Sequence, residues 1–319
     1  MKSNYRYLFG PVPSRRFGLS LGIDLVPFKT CSYDCVFCQL GRTTHKTLTR
    51  AEYVPTVEVL DELTQWLQAG GTADYMTLSG SGEPTLHSGF GEVIRHVRAT
   101  TSTPVAVLTN GSLLWDPAVR EAAASAHVVK VSLSAWDEAS WAQINRPDTV
   151  GSFDRMIEGQ RRFRQEFGGE LWVEVFIVWG MNSIPADVEK IAALVKSLQP
   201  EKVHLNTAVR PCAEEFVKPL SRDRMTALAG LFAPPAEVIG DFSASHSADV
   251  AANAETILAM LTRRPCTADQ IGHVFEMHKN EVAKYLGELL RTRSIRAERR
   301  GLEVFYVATE RIGTQEERV

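Results

Sequence analysis

The sequence predicts an α/β protein with a parallel sheet, followed by a small C-terminal unit of helices and a hairpin. Three observations lead to this prediction. Strand-sized apolar segments alternate with helical segments between residues 19 and 206. Polar or glycine-containing turns follow these strands. Residues 253–310 instead contain three helical segments and then two short strands. Strands that alternate with helices are typical of right-handed βαβ crossovers, which produce parallel sheets.

Six β/α units are predicted from this alternation. The strands are expected at residues 19–26, 75–78, 105–109, 128–133, 171–178 and 202–206. The helices are expected at residues 58–69, 90–100, 117–126, 153–167 and 187–198. Because ligands bind at the carboxyl ends of parallel strands, the polar motifs found there should belong to one site. Glu174, inside the fifth strand, should either line a polar cavity or pair with an arginine.

The composition is that of an ordinary globular protein, with 319 residues of which 44% are hydrophobic and 23% charged. The most apolar stretch, residues 173–180, is too short to cross a bilayer, and no signal peptide is visible, so a cytoplasmic protein is expected. The formal net charge is −3, yet residues 1–50 contain eight Lys or Arg against two Asp. Residues 261–300 are also basic. Such segments favour phosphate-containing or acidic partners, although a solvated face equally explains the C-terminal one.

Three of the five cysteines lie within eight residues, at Cys31, Cys35 and Cys38. An odd, clustered set argues against a disulfide framework, whereas close thiolates suit soft metals and iron–sulfur clusters. A structural zinc site normally has four protein ligands, and this segment supplies three cysteines. Three thiolates on a 4Fe–4S cluster leave one iron without a protein ligand, where a chelating cofactor can bind.

Two alternatives to the cluster remain at this point. A zinc ion could be bound by the three cysteines together with His45 or Cys212, or the cysteines could be a buried, reduced set. Cys212 and Cys266 are expected to be small buried apolar residues rather than ligands.

The CxxxCxxC spacing, with Phe37 directly before the third cysteine, resembles the radical S-adenosylmethionine (SAM) superfamily. The resemblance implies a partial (β/α)6 TIM-like barrel and a 4Fe–4S cluster held by the three cysteines. It also implies that the open iron chelates the amino and carboxylate groups of SAM. Reductive cleavage then yields a 5′-deoxyadenosyl radical that abstracts hydrogen from a substrate. A one-electron donor such as flavodoxin or ferredoxin is the implied partner.

Motifs that follow three of the strands supply the candidate SAM-binding residues. The turn at residues 79–84, SGSGEP, resembles the GGEP motif of the superfamily, which binds the methionine amino group, with Ser81 in place of a glycine. A threonine–asparagine–glycine turn and two serines follow the next two strands. Ordinary turns explain each short motif as well. The candidates are Phe37, Gly80, Ser81, Gly82, Glu83, Thr109, Asn110, Ser132 and Ser134.

Over roughly residues 5–220 the sequence resembles one subgroup, the uncharacterised iron–sulfur oxidoreductases related to wyosine tRNA synthases. The resemblance rests on residues 10–22, 39–44, 144–147 and 205–211. No cysteine precedes Cys31, so the second cluster of wyosine synthases is not expected, and nothing singles out Lys29 as a Schiff-base lysine. A related scaffold with a different reaction is therefore expected.

Arginines in these segments are candidates for binding an anionic substrate, because a guanidinium group donates two hydrogen bonds to phosphate or carboxylate. Ordinary salt bridges are the alternative. The candidates are Arg15, Arg16 and Arg210, with Arg42 and Arg146 in addition.

The domain limits predicted are 1–230 for the barrel, 231–252 for a linker and 253–310 for the C-terminal domain. Helices at residues 255–262, 268–275 and 279–291, followed by a hairpin, resemble a winged helix-turn-helix. Such a domain could contact nucleic acid, or it could bind protein or present a substrate, and two glutamates on its third helix weaken phosphate binding. The basic candidates are Lys279, Lys284, Arg299 and Arg300.

Two functional hypotheses follow. The first is a radical SAM enzyme acting on an unidentified substrate, with RNA or a protein as candidates. The second is a DNA-binding regulator in which the cluster senses redox state. The strand-end motifs favour the enzyme, because a sensor needs no cofactor pocket.

Overall fold

The computed structural model describes residues 5–14, 16–239, 253–275, 277–301 and 303–309. The first ten strands are β1 (Leu8–Ser14), β2 (Gly18–Ile23), β3 (Thr30–Cys31), β4 (His45–Lys46), β5 (Tyr75–Leu78), β6 (Val105–Thr109), β7 (Val128–Ser132), β8 (Glu170–Ile177), β9 (Lys202–Thr207) and β10 (Glu237–Val238). Of these described strands, β3 and β4 pair with each other, and the other eight form one sheet in the order β1-β2-β5-β6-β7-β8-β9-β10.

The sheet is parallel from β2 to β10, and β1 pairs antiparallel with β2 at its edge. Its central strands are mainly apolar, with Lys130 and Glu174 as charged residues inside them, as expected for parallel strands covered by helices on one side and by side chains on the other. The order of the strands along the sheet follows their order in the sequence. This mixed α/β arrangement is consistent with a partial (β/α)6 barrel.

The helices between the strands begin at recognisable caps. Asp116 caps α3 by accepting a hydrogen bond from the backbone N–H of Ala118, and Asp137 forms a capping box with Ser140 in α4. Each helix buries an apolar stripe against the sheet. The helices are α1 (Thr56–Gln68), α2 (Phe90–Thr100), α3 (Pro117–Ala123), α4 (Glu138–Ile144), α5 (Phe153–Glu166), α6 (Pro185–Ser197) and α7 (Arg222–Ala229).

All six predicted strands and all five predicted helices of this unit are present, with shifted ends. The elements listed above that were not predicted are β1, β3, β4, β10, α4 and α7. β1 contains Pro11 and Pro13, which argue against a strand unless it lies at a sheet edge, as β1 does. β10 lies inside the predicted linker, residues 231–252, so the sheet continues beyond residue 230. Residues 240–252 of that linker lie outside the described residues.

The C-terminal unit has its own apolar core, in which Ile257, Leu286 and Ile295 are almost fully buried. Cys266 is buried there too, as expected. Its described strands form an antiparallel sheet in the order β11-β13-β12. The elements are α8 (Ala254–Arg263), β11 (Cys266–Thr267), α9 (Ala268–Val274), α10 (Lys279–Arg291), β12 (Ile295–Arg300) and β13 (Glu303–Ala308).

The C-terminal unit is docked on the sheet. α8 lies against β1, and the side-chain amide of Gln270 donates a hydrogen bond to the carbonyl oxygen of Val209, just after β9, at 3.1 Å. The contact therefore lies beside the carboxyl end of β9, where the polar motifs also lie. Within the described part of the chain, no helix has the length and apolar character needed to cross a membrane.

Candidate active site

The three clustered cysteines lie in the loop between β2 and α1, and all three are half-buried. Cys31 ends β3, and its carbonyl oxygen accepts a hydrogen bond from the backbone N–H of Thr47. The backbone N–H of Cys38 donates to the carbonyl oxygen of Cys35 at 3.1 Å, which closes a tight turn around the last two cysteines. We call residues 29–47 the cysteine loop.

Each cysteine sulfur accepts a hydrogen bond from an N–H group in a different part of the chain. Lys29 Nζ lies 3.0 Å from the sulfur of Cys38, and Asn110 Nδ2, after β6, lies 3.6 Å from that of Cys31. Asn145 Nδ2, after α4, lies 3.3 Å from the sulfur of Cys35. Groups that donate hydrogen bonds to metal-bound sulfur stabilise the thiolate and orient it. These three donors are therefore already placed to stabilise three metal-bound thiolates.

The surroundings of the loop favour the neutral thiol form of Cys31 and Cys35. Burial raises the pKa of Cys31 to about 12, and burial together with the nearby Cys31 and Cys38 raises the pKa of Cys35. Neighbouring thiols thus oppose the ionisation of Cys31 and Cys35. Since metal binding requires thiolates, a bound cation would remove this repulsion and release the protons.

A single zinc ion does not fit this loop. Among the described residues, no group of three or more His, Cys, Asp or Glu side chains is close enough to hold one metal ion. His45 is exposed and packs edge-on against Tyr53, and Cys212 donates from its sulfur to the carbonyl oxygen of Arg210 at 3.4 Å. A cubane offers a different iron to each thiolate and therefore needs thiols that are further apart than a zinc ion does, which holds each sulfur at ~2.3 Å.

The turn after β5 packs directly against the cysteine loop. Asp24 accepts hydrogen bonds from the backbone N–H and the hydroxyl group of Ser81, at 2.9 and 2.5 Å. A Cβ atom on Gly80, whose φ is +138°, would lie 2.5 Å from Asp24 Cγ, and one on Gly82 would lie 1.7 Å from the carbonyl oxygen of Thr30. The sequence suggested glycines that admit a ligand. In the structure, Asp24 lies against Gly80 and the carbonyl oxygen of Thr30 lies against Gly82, where side chains would not fit.

Glu83 is buried, and its carboxylate accepts hydrogen bonds from other residues of the chain. It accepts hydrogen bonds from the N–H and hydroxyl groups of Thr85, from the hydroxyl group of Thr109 at 2.6 Å and from the N–H of Asn110 at 2.7 Å. Burial raises the pKa of Glu83, and these hydrogen bonds oppose the rise. Three of these donors share Oε1, and the N–H of Asn110 reaches Oε2. Glu83 therefore joins the ends of β5 and β6 and holds Asn110 beside Cys31.

The two candidate serines differ in exposure. The hydroxyl group of Ser134 is buried and accepts a hydrogen bond from the backbone N–H of Phe176 at 2.9 Å. Ser132 is half-buried and pairs with Glu174 in the register of β7 and β8. Ser134 thus fastens two strand ends together.

A cavity of about 370 Å³, which we call the central pocket, lies beside the cysteine loop. Phe37 forms one wall, where its ring stacks on that of Phe176 with 4.3 Å between centroids. Other walls come from the strands, the turn after β5 and the C-terminal unit. The lining includes Arg16, Ser20, Phe37, Cys38, Gln39, Thr77, Gly80, Ser81, Leu108, Glu174, Phe176, Asn206, Arg210, Thr262 and Arg264.

Glu174 lines this pocket and is also ion-paired, so both predicted environments apply to it. Its carboxylate accepts a hydrogen bond from Arg16 Nη2, and Lys130 Nζ lies 3.6 Å from its other oxygen. Burial lowers the pKa of Lys130, and the charge of Glu174 opposes that effect. The pair fixes the Arg16 side chain at the pocket wall.

The remaining candidate arginines divide into two groups. Arg210 is 4% exposed, lines the central pocket and donates to Gln39 in the cysteine loop at 3.3 Å. Arg42, in the cysteine loop, and Arg146, after α4, both pair with Glu214, so they fasten these two segments to the segment after β9. Arg15 lies outside the described residues.

The family model of the radical SAM superfamily matches residues 25–195, a span that contains the cysteine loop, the turn after β5 and the strands up to β8. The chain belongs to the radical SAM superfamily. Proteins of this superfamily bind a 4Fe–4S cluster and SAM, and they need a reductant. The chain is accordingly an enzyme.

Three curated relatives show how far the similarity extends. A protein of Brachyspira hyodysenteriae named GTPase Obg is 33% identical over 303 residues, and this chain spans 44% of its length. The UPF0026 protein of Methanocaldococcus jannaschii is 36% identical, with 73% of this chain and 72% of that protein covered. A UPF0026 protein of Helicobacter pylori is 31% identical over 96% of this chain and 99% of its own length. The last match includes the C-terminal unit.

Two solved structures share the fold of this radical SAM chain. TYW1 with a bound lysine–pyruvate adduct aligns with a TM-score of 0.52 and 17% identity, over 72% of this chain and 76% of that one. A radical SAM methyltransferase from Sphaerobacter thermophilus aligns with a TM-score of 0.50 and 20% identity, over 69% and 66%.

Sequence reasoning missed four residues of this radical SAM site. Lys130 was detectable, because it is a charged residue inside an apolar strand, like Glu174. Lys29 and Asn145 carry no local signal, since their contacts with the cysteines depend on the folded loop. Arg264 reaches the pocket from a separate unit, which no local pattern could reveal.

Proposed function

We propose that this enzyme holds a 4Fe–4S cluster with Cys31, Cys35 and Cys38, binds SAM in the central pocket and abstracts hydrogen from an unidentified substrate. The observation that carries the proposal is the set of three N–H donors, one directed at each cysteine sulfur beside a cavity. When bound and reduced, the cluster supplies the electron that cleaves SAM to a 5′-deoxyadenosyl radical. Flavodoxin or ferredoxin is the proposed source of that electron.

The candidate SAM-binding residues are proposed to act in two ways. Phe37, Gly80 and Ser81 line the pocket and are proposed to contact the cofactor, with the aromatic ring as a flat apolar wall. Half-buried Ser132 is proposed to offer its hydroxyl group to polar parts of the cofactor. The other candidates are proposed to support the pocket wall without contacting the cofactor. Their hydrogen-bonding groups bind other parts of the chain, or they pack against other parts of the chain. These are Gly82, Glu83, Thr109, Asn110 and Ser134.

The subgroup related to wyosine tRNA synthases is supported by the alignment with TYW1, but a lysine–pyruvate adduct is not proposed for this chain. Lys29 is held against Cys38, and Lys130 is paired with Glu174. Residues 1–30 contain no cysteine. We propose a related scaffold with a different reaction.

We also propose that residues 253–309 form a winged helix-turn-helix domain and that the first domain extends to residue 239. The order of helix, strand, two helices and hairpin supports the assignment. Local carboxylates neutralise three of the four basic residues expected to contact nucleic acid, the exception being Arg299: Lys279 pairs with Asp269 at 2.7 Å, and Lys284 pairs with Glu281 at 2.6 Å. Arg300 likewise pairs with Glu298. These pairs disfavour phosphate binding, so a DNA-binding regulator is not proposed.

The test is anaerobic reconstitution of the full-length protein with iron and sulfide, reduction with dithionite and addition of SAM. 5′-Deoxyadenosine and methionine are expected from the wild type and not from Cys35→Ala. Cys212→Ala is the matched control, because it removes a thiol outside the cysteine loop and should retain the cleavage. Zinc at the three thiols, or a reduced cluster that yields no 5′-deoxyadenosine, would contradict the proposal.

A further inference from the structure

We propose that a cavity beside the cysteine loop is the docking site of the electron donor, and that it fits a flavin-containing protein, such as a flavodoxin, through the edge of its flavin ring. The inference rests on the proposed function, because it concerns delivery of the electron to the same cluster. It adds an interaction surface that is separate from the central pocket.

A second cavity, of about 390 Å³, is formed where the cysteine loop meets the turn after β6, the segment after α4 and the start of α5. We call it the loop cavity. It shares no lining residue with the central pocket. A donor bound there would therefore leave the central pocket free for SAM and substrate. The lining side chains that matter here are Tyr33, Trp115, Trp141, Pro147, Val150 and Arg155.

The loop cavity lies next to the proposed cluster ligands. Its wall includes Tyr33, which stands between Cys31 and Cys35 in the peptide that joins them. The hydroxyl group of Ser32 is hydrogen-bonded to that of Ser112, another lining residue, at 2.6 Å. The cavity wall is therefore built partly from the short peptide that carries two of the ligands, and an electron entering there has a short way to the cluster.

The lining of the loop cavity suits a flat apolar ring. Tyr33 and Trp141 are each 3% exposed, and their rings meet edge-on with 5.5 Å between centroids. Val150, at the same cavity, is 76% exposed, the highest value among the large apolar residues that the structure describes. Aromatic rings pack well against other rings in offset or edge-to-face arrangements, so the benzene edge of a flavin fits these walls. Such a contact would also cover Val150.

The charges at the rim of the cavity favour an acidic partner. The exposed guanidinium group of Arg155 lies 3.5 Å from the centroid of the Trp115 ring, and the exposed Lys46 donates from Nζ to the carbonyl oxygen of Pro147 at 3.0 Å. In the described part of the chain neither cation pairs with a carboxylate, and the lining holds one carboxylate, Asp148. Two cations against one carboxylate attract an acidic protein surface.

A contact of this size is adequate for electron transfer. Electron-transfer complexes are weak and bury less than ~1,200 Å² in total. The step itself makes and breaks no bond, because the reduced flavin loses one electron and the oxidised cluster gains it. A small surface of apolar and cationic side chains therefore fits a partner that binds briefly and leaves.

The test uses the full-length, cluster-loaded protein under anaerobic conditions, with an acidic flavodoxin as the probe. Calorimetry measures the binding of oxidised flavodoxin, and photoreduced flavodoxin or dithionite then drives SAM cleavage. Val150→Glu should weaken flavodoxin binding at least tenfold and slow flavodoxin-driven cleavage, because it places a carboxylate against an acidic partner. Val57→Glu is the matched control, because Val57 is 63% exposed in α1 and does not line the cavity. It should bind flavodoxin like the wild type.

Further readouts separate the possible failures. Dithionite is small and needs no docking site, so it should drive cleavage in Val150→Glu at the wild-type rate, and the unfolding temperature should be unchanged. Wild-type binding by Val150→Glu, or no binding of flavodoxin to the wild type, overturns the inference. Val150-dependent binding of ferredoxin alone overturns the flavin class. Failed flavodoxin binding together with dithionite-driven cleavage contradicts this inference only, whereas absent cleavage with dithionite contradicts the proposed function.

Discussion

The ammonium group of Lys29 lies 3.0 Å from the sulfur of Cys38, and the lysine is 2% exposed. Its backbone adopts a φ of +59°, which is uncommon outside glycine, and the loop holds it there with a hydrogen bond from its N–H to the carbonyl oxygen of Ser81 at 2.8 Å. A buried positive charge at a proposed cluster ligand has consequences for the energy of adding an electron to that cluster.

Lys29→Met should make the midpoint potential of the cluster more negative by roughly 100 mV. The variant removes a positive charge, and reduction adds a negative one, so a few kcal/mol of Coulomb attraction at an effective dielectric constant near 20 are lost. An EPR-monitored redox titration measures the shift. Lys46→Met is the matched control, because Lys46 lies in the same loop but is exposed and donates to the carbonyl oxygen of Pro147. Equal potentials for Lys29→Met and the wild type would contradict the assigned role.

Glu83→Gln should destabilise the protein by about 1–3 kcal/mol. An amide has one acceptor oxygen, so at least one of the hydrogen bonds from Thr109 or Asn110 would face a donor instead. Urea unfolding of the metal-free protein measures the loss. Glu189→Gln, at an exposed position of α6, should leave stability nearly unchanged. Loosening of Asn110 should also reduce iron retention in Glu83→Gln, and full stability with full iron content would refute this view of the residue.

Gly82→Ala should cost at least ~2 kcal/mol of unfolding free energy and reduce iron loading. The added methyl group would lie 1.7 Å from the carbonyl oxygen of Thr30, so the turn after β5 and the cysteine loop would have to separate. Gly168→Ala is the control, because the same methyl group there meets open space. Thermal unfolding and iron analysis of both variants make the comparison. Wild-type stability and iron content in Gly82→Ala would show that the two segments can separate without loss of unfolding free energy.

Stability should fall as the pH decreases from about 6.5 to about 4, in part because of His204. Burial, with a smaller contribution from Arg16, lowers the pKa of His204 to about 4. The unfolded state therefore binds a proton in this range that the folded state does not, and this proton favours unfolding by up to about 3 kcal/mol at pH 4. His204→Gln should show a shallower decline in urea unfolding between pH 7 and pH 4. The same slope for both proteins would exclude His204 as a contributor.

The sequence predicted much of the fold because the β/α alternation is a local signal. The strand at residues 105–109 and the helix at residues 90–100 coincide with β6 and α2 as observed. Local signals also located the three cysteines and Glu174. By contrast, the donors to the cysteine sulfurs and the Arg264 side chain reach the site through contacts between distant segments, which no periodicity encodes. Glu83 is a further example. The sequence predicted its motif, but it did not predict the four hydrogen bonds that its carboxylate accepts.

The cysteine loop is held by residues spread widely along the chain. Asn110 and Asn145 approach two of its sulfurs, and Glu214 pairs with Arg42 within it. None of these partners exists when the cysteines leave the ribosome, because each is synthesised later. The nascent loop therefore lacks its final shape until about two thirds of the polypeptide has emerged and folded. Under the proposed function, the cluster is therefore expected to assemble only after the sheet has been translated.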